Sequence, residues 1–346
     1  MDILFVNFPS QTLLDQLQGY GCKAVNLEED ASELRFGRLI SRLSSSFDVV
    51  YYTKFVSRGL EDLPPYISAL RCRSVLGFHT PVLIDHPERT IYKLYNIVNS
   101  GRLMAHKCIR VFDAFHSLNS SDHALLSMLG FRSYLVPMGY DEMLFTPCEK
   151  SQEEFRVLFS GSLYHKGVDI AANLAYTLAR KHNDMRFVFV DGARSSFIDN
   201  ALGYREYLGN SGIGNITSLD ELKQEEFARL LGQSHLLLFS SRWESFGRVV
   251  VEALGSGCPV VCFDIPGPPS SLMRRFGVGH VARPFDPIDL AGGLLAFYNL
   301  WKKRPEEYLE LSKRCRSVSL MFSWRRLAAK YFEMFKAVST LGNPRS

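Results

Sequence analysis

The sequence lacks paired cysteines. Its seven thiols, at 22, 72, 108, 148, 258, 262 and 315, are odd in number and scattered, and none sits in a Cys-x-x-Cys pair. A disulfide framework and a structural zinc site are excluded on that spacing, and a reducing cytoplasmic setting is expected. Long apolar runs are missing too, and the opening Met1-Asp2-Ile3-Leu4-Phe5-Val6 is too short and wrongly flanked for a signal peptide. The formal charge is only +4, and the basic clusters (Arg71 to Arg73, Lys302 to Arg304) are short. That balance does not build a nucleic-acid track, although it permits peripheral contact with an anionic membrane surface. No apolar run is followed by Gly-x-Gly-x-x-Gly: Val190-Asp191-Gly192-Ala193 has one glycine and Asn7-Phe8-Pro9-Ser10 none, which argues against a nicotinamide dehydrogenase. Asp-x-Asp and clustered His/Cys ligands are also lacking, so neither metal nor cofactor is expected.

What is present is an alternation of short apolar runs with segments of helical period. Phe155 to Ser160 reads as a strand, Val168 to Lys181 as a helix with Ala171, Leu174, Ala175 and Leu178 on one face, and Arg186 to Val190 as the next strand. A helix from about Asp220, strands His235 to Phe239 and Val260 to Phe263, and a helix from about Asp286 continue the series. The first half repeats it at Ile3 to Asn7, Asp48 to Thr53, Val75 to His79 and Tyr134 to Pro137. This is an α/β pattern that folds as doubly wound parallel sheets. A chain of 346 residues suits two such domains. The charged, Pro-containing stretch Thr146 to Glu154 marks the boundary, giving domains of 1–148 and 149–320 and a terminal helix over 321–346. Open α/β sheets bind ligands at the carboxyl ends of their strands, so a cleft between facing domains is the expected site.

The stretch from Ser241 to Val261 sets Glu244 and Glu252 around apolar residues. Ser245 reads as the N-cap of a helix running to about Ser256, stopped by Gly257 and Pro259. The amides of Phe246, Gly247 and Arg248 then lie at a helix start, where an anion is favoured. Arg248 in that first turn, like Lys166 before the helix at Gly167, opposes the helix dipole, a conflict that a bound phosphate removes. Glu252 falls inside the helix among residues that read as buried, so its carboxylate needs partners. Two vicinal ribose hydroxyls satisfy it, and so does an ion pair with Arg242 or Arg248.

The run Glu244-Ser-Phe-Gly-Arg-Val-Val-Val-Glu252 resembles the Glu-x7-Glu signature of family 4 retaining glycosyltransferases, which have the GT-B fold. Phe159-Ser-Gly-Ser-Leu-Tyr-His-Lys-Gly-Val-Asp169 is similar to that family's donor loop. Val136 to Pro147 resembles its Pro-Asn-Gly hinge, and Gly279 to Leu290 its Asp-Pro segment. The ordered set covers about residues 115 to 335. The resemblance implies two Rossmann-like domains facing across a cleft, with the terminal helix around Phe322-Ser323-Trp324 crossing back to the first. It further implies transfer of a hexose from a UDP- or GDP-sugar to a glycan or lipid-linked hydroxyl, with retention and without metal. Glu252 then holds the donor ribose, Glu244 the transferred sugar, and Lys166 with the amides of Phe246 and Gly247 the pyrophosphate. Gly161, Ser162, Arg242, Ser245 and Arg248 complete the donor site, and His79 faces the reacting sugar. The chain departs from the family at Ser162, where arginine is usual, and at Pro266-Gly-Pro-Pro-Ser270, where Gly-Gly-x-x-Glu is usual. The lost arginine motivates an alternative: a non-catalytic GT-B protein that binds nucleotide or sugar as a partner subunit. Thr90 to Lys107 and Lys302 to Lys336 are candidate amphipathic surface segments.

Overall fold

The computed structural model describes residues 1–6, 10–27, 44–54, 67, 70–78, 111–161, 164–190, 212–265 and 267–342. His79, Ser162 and the segment 90–107 lie outside the described residues. The strands are β1 (Asp2–Val6), β2 (Lys23–Leu27), β3 (Val49–Lys54), β4 (Arg73–Phe78), β5 (Ala114–Ser117), β6 (Ser133–Leu135), β7 (Phe155–Ser160), β8 (Met185–Val190), β9 (Ile216–Leu219), β10 (Leu236–Phe239), β11 (Val260–Phe263) and β12 (Gly279–Ala282). The helices are α1 (Gln11–Gln18), α2 (Ser120–Met128), α3 (Val168–Ala179), α4 (Gln224–Gly232), α5 (Arg248–Gly255), α6 (Pro268–Phe276), α7 (Pro287–Lys303), α8 (Pro305–Ser319) and α9 (Trp324–Ser339).

Two compact units result: Met1–Met138 with Trp324–Ser346, and Gly139–Ser323. The first holds a parallel sheet in the order β2-β1-β3-β4-β5-β6. Both of its faces are covered, as parallel sheets require, so its central strands are apolar at successive positions rather than alternating with polar ones. On one face Leu4, Val50, Leu76 and Phe115 join Leu126 of α2 in the core. On the other, Phe335 of α9 meets Phe5 and Tyr51 edge-on, at 5.4 and 5.7 Å between ring centroids. Beneath α9 the Tyr51 hydroxyl lies 2.6 Å from His116 Nδ1, while His116 Nε2 lies 2.8 Å from the Val136 carbonyl. That carbonyl can only accept, so Nε2 carries the proton and Nδ1 accepts from the tyrosine. Burial pushes the imidazole down to about 4, which keeps it neutral in this chain of bonds.

The second unit holds a parallel sheet in the order β12-β11-β10-β7-β8-β9. Its winding reverses between β7 and β10, and it is at such a switch point that open α/β sheets take their ligands. The unit begins after Met138, earlier than the 148/149 boundary that composition suggests, because the intervening segment is hydrogen-bonded into it. Arg316 of α8 donates to the carbonyls of Phe145 and Glu142, each at 2.7 Å, and the buried Lys150 amine donates to Gly232 O at 2.8 Å. A Pro-containing, charged stretch resembles a linker in sequence; here its carbonyls and amine are bonded to helix ends.

The segment from Lys302 to Lys336 is not an amphipathic surface strip. Its apolar side chains Tyr308, Leu311, Cys315, Val318, Leu327, Tyr331 and Phe335 are buried within the two units to which α8 and α9 belong. Among the described residues no helix is long and apolar enough to cross a membrane.

Candidate functional site

The site forms where the chain leaves β7 and β10, the two strands flanking the switch point. After β7 the backbone turns at Gly161, whose φ of 130° lies outside the range that side chains favour. A Cβ there would stand 2.8 Å from Lys166 Cγ, so the glycine makes room for the lysine stem. A short 3₁₀ turn, Tyr164–Lys166, then delivers Lys166, and α3 starts after Gly167. A Cβ on Gly167 would lie 2.1 Å from the Ser240 carbonyl, so only glycine lets the segment after β7 approach the one after β10 this closely. The two segments are stitched together there: Ser240 Oγ donates to Gly167 O at 3.0 Å, and Arg242 N donates to His165 O at 2.7 Å.

The first consequence is that Lys166 and Glu244, distant in sequence, meet. Lys166 Nζ donates to Glu244 Oε2 at 2.5 Å. Their side chains are 27% and 15% exposed, enough for an incoming polar ligand to reach both. Further along, Arg248 Nε pairs with Glu252 Oε1 at 3.0 Å. Glu252 is buried, and burial holds its carboxyl above the ordinary range, with the Arg248 guanidinium pulling the other way. Of the two arginines that the sequence offers to Glu252, it is Arg248 that pairs with it.

Arg242 is placed differently from the sequence expectation. Its guanidinium is buried and forms a two-pronged bond with Asp169 of α3, NH1 to Oδ1 at 2.8 Å and NH2 to Oδ2 at 2.6 Å. Its carboxylate partner is Asp169 rather than Glu244 or Glu252. Lys166, Arg242 and Arg248 are thus each matched to a carboxylate.

The start of α5 also differs. The helix begins at Arg248 with Gly247 as its N-cap, and no side chain caps it, so Ser245 is not the N-cap. The physical reason is the left-handed φ of 77° at Gly247, which reverses the chain and lets the helix start two residues later. Ser245 is buried, and Phe246 packs its ring 6.0 Å from that of Phe322. The α3 helix begins in the same way, after Gly167 at φ 76° and without a side-chain cap. Two helix N-termini, each with first-turn amides that no side chain caps, therefore stand at the carboxyl ends of β7 and β10. Such ends carry partial positive charge and accept anions.

One feature that sequence reasoning missed is an aromatic stack. His165 and Trp243 lie face to face with centroids 4.3 Å apart and planes 16° from parallel. Burial, then Lys166 and Arg242, push the His165 imidazole down to about 3, so it stacks as a neutral ring. The available signal was position: each ring is one residue upstream of a member of the Lys166–Glu244 pair.

Two doubly wound parallel sheets, one bearing a cationic side chain and uncapped helix starts at its switch point, define the class: a two-domain α/β protein of the GT-B fold. Solved structures bear this out. The chain superposes on sucrose-phosphate synthase from Thermosynechococcus elongatus with a TM-score of 0.73 at 13% identity, covering 97% of this chain and 98% of that one. It superposes on Anabaena Alr3699/HepE in complex with UDP and glucose with a TM-score of 0.71 at 17% identity, covering 97% and 100%. Residues 144–315 match the family described as glycosyl transferases group 1, and the chain therefore carries a domain of that family. Among curated relatives, the phosphatidylinositol N-acetylglucosaminyltransferase gpi3 subunit of Schizosaccharomyces pombe is 26% identical over 195 residues, 55% of this chain and 39% of that protein. The MMP alpha-(1->4)-mannosyltransferase of Mycolicibacterium hassiacum is 22% identical over 324 residues, 89% of this chain and 75% of that one. The chain thus spans about two fifths of the length of the gpi3 subunit.

Proposed function

We propose that the protein is a retaining glycosyltransferase that moves a hexose-type sugar from a UDP- or GDP-sugar to a hydroxyl of a glycan or lipid-linked acceptor. The observation that carries this reading is the meeting of Lys166 and Glu244 beside two uncapped helix N-termini at the switch point. A diphosphate needs cationic side chains and amide donors, a sugar a carboxylate for its hydroxyls, and a ribose a second carboxylate for its vicinal hydroxyls. Lys166, Glu244 and Glu252 take these three parts in the proposal. The likeness to a mannosyltransferase and to a protein in complex with UDP and glucose supports the same reading.

In this reading Lys166 and the first turns of α3 and α5 neutralise charge as the diphosphate departs, and no metal is required. Glu244 orients the transferred sugar, and Glu252 holds the ribose. The departing phosphate takes the acceptor proton while the acceptor attacks from the same face, so the anomeric configuration is kept and no enzymic nucleophile is needed. The protein acts from the cytoplasmic side, with peripheral contact at a membrane where the acceptor is lipid-linked.

The test is to incubate the protein with a panel of UDP- and GDP-hexoses together with glycan and lipid-linked acceptors, follow nucleoside diphosphate release, and read the anomeric configuration of the glycoside formed by NMR. Release from one donor with retention supports the proposal. Nucleoside diphosphate binding without release from any donor would favour the non-catalytic alternative.

A further inference from the structure

We propose that Trp243, through its stack on His165, is a positioning residue that sets the reach of Lys166 towards Glu244 and thereby towards the donor diphosphate. The inference rests on the donor site proposed above and adds to it residues outside the charged set.

The segments after β7 and β10 are joined by polar contacts and by the stack. The polar ones are the backbone bond from Arg242 N to His165 O, the Arg242–Asp169 fork, the bonds from Ser240 Oγ to the Lys166 and Gly167 carbonyls, and the Lys166–Glu244 pair. The first two fix where the segments cross, but they act on Arg242 and Asp169, not on the working side chains. Lys166 has four rotatable side-chain bonds whose freezing costs entropy, and a backbone that also moved would add to that cost. The Ser240 bond fixes the Lys166 carbonyl, and the stack holds the residue before it and links it to the Glu244 side, because His165 is bonded directly to Lys166 and Trp243 to Glu244, and the two rings lie nearly parallel at 4.3 Å. Any slide of one ring over the other shifts both members of the ion pair relative to each other. Neutral His165 also adds no second positive charge next to Lys166, so the stack can brace the lysine without repelling it.

A large flat ring is required on the Glu244 side, and its loss should be felt at a ligand that Trp243 itself does not bind. Calorimetric titration with UDP and GDP decides this. In the wild type one nucleoside diphosphate binds; in Trp243→Ala its affinity falls about tenfold, and in Trp243→Tyr most of it returns. His165→Ala removes the stack from the other side and should give the same loss, which covers the case in which Trp243→Ala folds poorly. The diphosphate should also change the protein's tryptophan fluorescence, and Trp243→Phe should lose that change while retaining affinity. If the wild type binds and both alanine variants bind equally well, the positioning role is wrong and the donor site stands. If the wild type binds neither nucleotide, the donor reading fails and takes this inference with it.

Discussion

Glu244→Gln is expected to bind a nucleoside diphosphate up to about fivefold more tightly than the wild type while losing most of its turnover. The affinity gain follows from competition. As the segments after β7 and β10 stand, Lys166 Nζ is 2.5 Å from Glu244 Oε2, so a diphosphate has to draw the lysine away from a carboxylate already holding it. Glutamine keeps the shape and removes the competing charge. For a partly exposed pair the relief is up to about 1 kcal/mol, which corresponds to a factor of about five. The turnover loss follows from the same residue's other task. A carboxylate aimed at the sugar as charge develops on it contributes more to the transition state than to the ground state, and its removal lowers kcat on the order of a hundredfold or more. Calorimetry with the diphosphate and single-turnover kinetics with the sugar nucleotide measure the two halves. Weaker diphosphate binding in the variant would mean that Glu244 assists the phosphates, contrary to the geometry.

Glu252→Gln should do the reverse: it should leave the protein as stable or more stable at neutral pH, yet weaken nucleotide binding by about ten- to a hundredfold. Burial raises the Glu252 carboxyl, so the fold favours its protonated form. A raised carboxyl contributes stability that is complete below its unfolded pKa and is lost as pH rises through the folded value. The melting temperature of Glu252→Gln relative to the wild type should therefore be near zero difference at pH 4 and rise as the pH is brought above the ordinary carboxylate range. The partner left behind, Arg248, is 44% exposed and is rehydrated at little cost. The binding loss reflects hydrogen bonds from ribose hydroxyls to a charged acceptor, each worth about 1.5–3 kcal/mol. A variant that melts lower than the wild type at pH 8 would show that the Arg248 pair outweighs the burial of the charge.

The central strands were legible because their apolar runs are uninterrupted: Phe155–Ser160 and Val260–Phe263 fall where the pattern puts them. Of the strands that the pattern does not reveal, β2, β9 and β12 lie at sheet edges, while β5 lies inside the first sheet, where Ala114-Phe115-His116-Ser117 is too short and too polar to stand out. Lys23-Ala24-Val25-Asn26-Leu27 and Ile216-Thr217-Ser218-Leu219 carry too few apolar residues to stand out, since an edge strand has less surface to bury. Within the site, the Glu244 and Lys166 positions were readable from motif spacing, because each follows a clear strand by a fixed short loop. Two local details were not. Serine at 245 has the chemistry of a cap, but the left-handed Gly247 resets the helix start, and a backbone angle leaves no mark in a pattern of residue types. Arg242 has the charge for phosphate, but its partner Asp169 lies on a helix after another strand, a pairing that only the sheet order brings about.

The most direct test of the account is calorimetric titration of UDP and GDP into the wild type and into Lys166→Met. The account predicts that the wild type binds one of the two and that the methionine variant, which keeps the stem against Gly161 but carries no charge, binds it at least tenfold more weakly. Equal binding by both proteins, or none by the wild type, would contradict the donor site on which the proposed transfer rests.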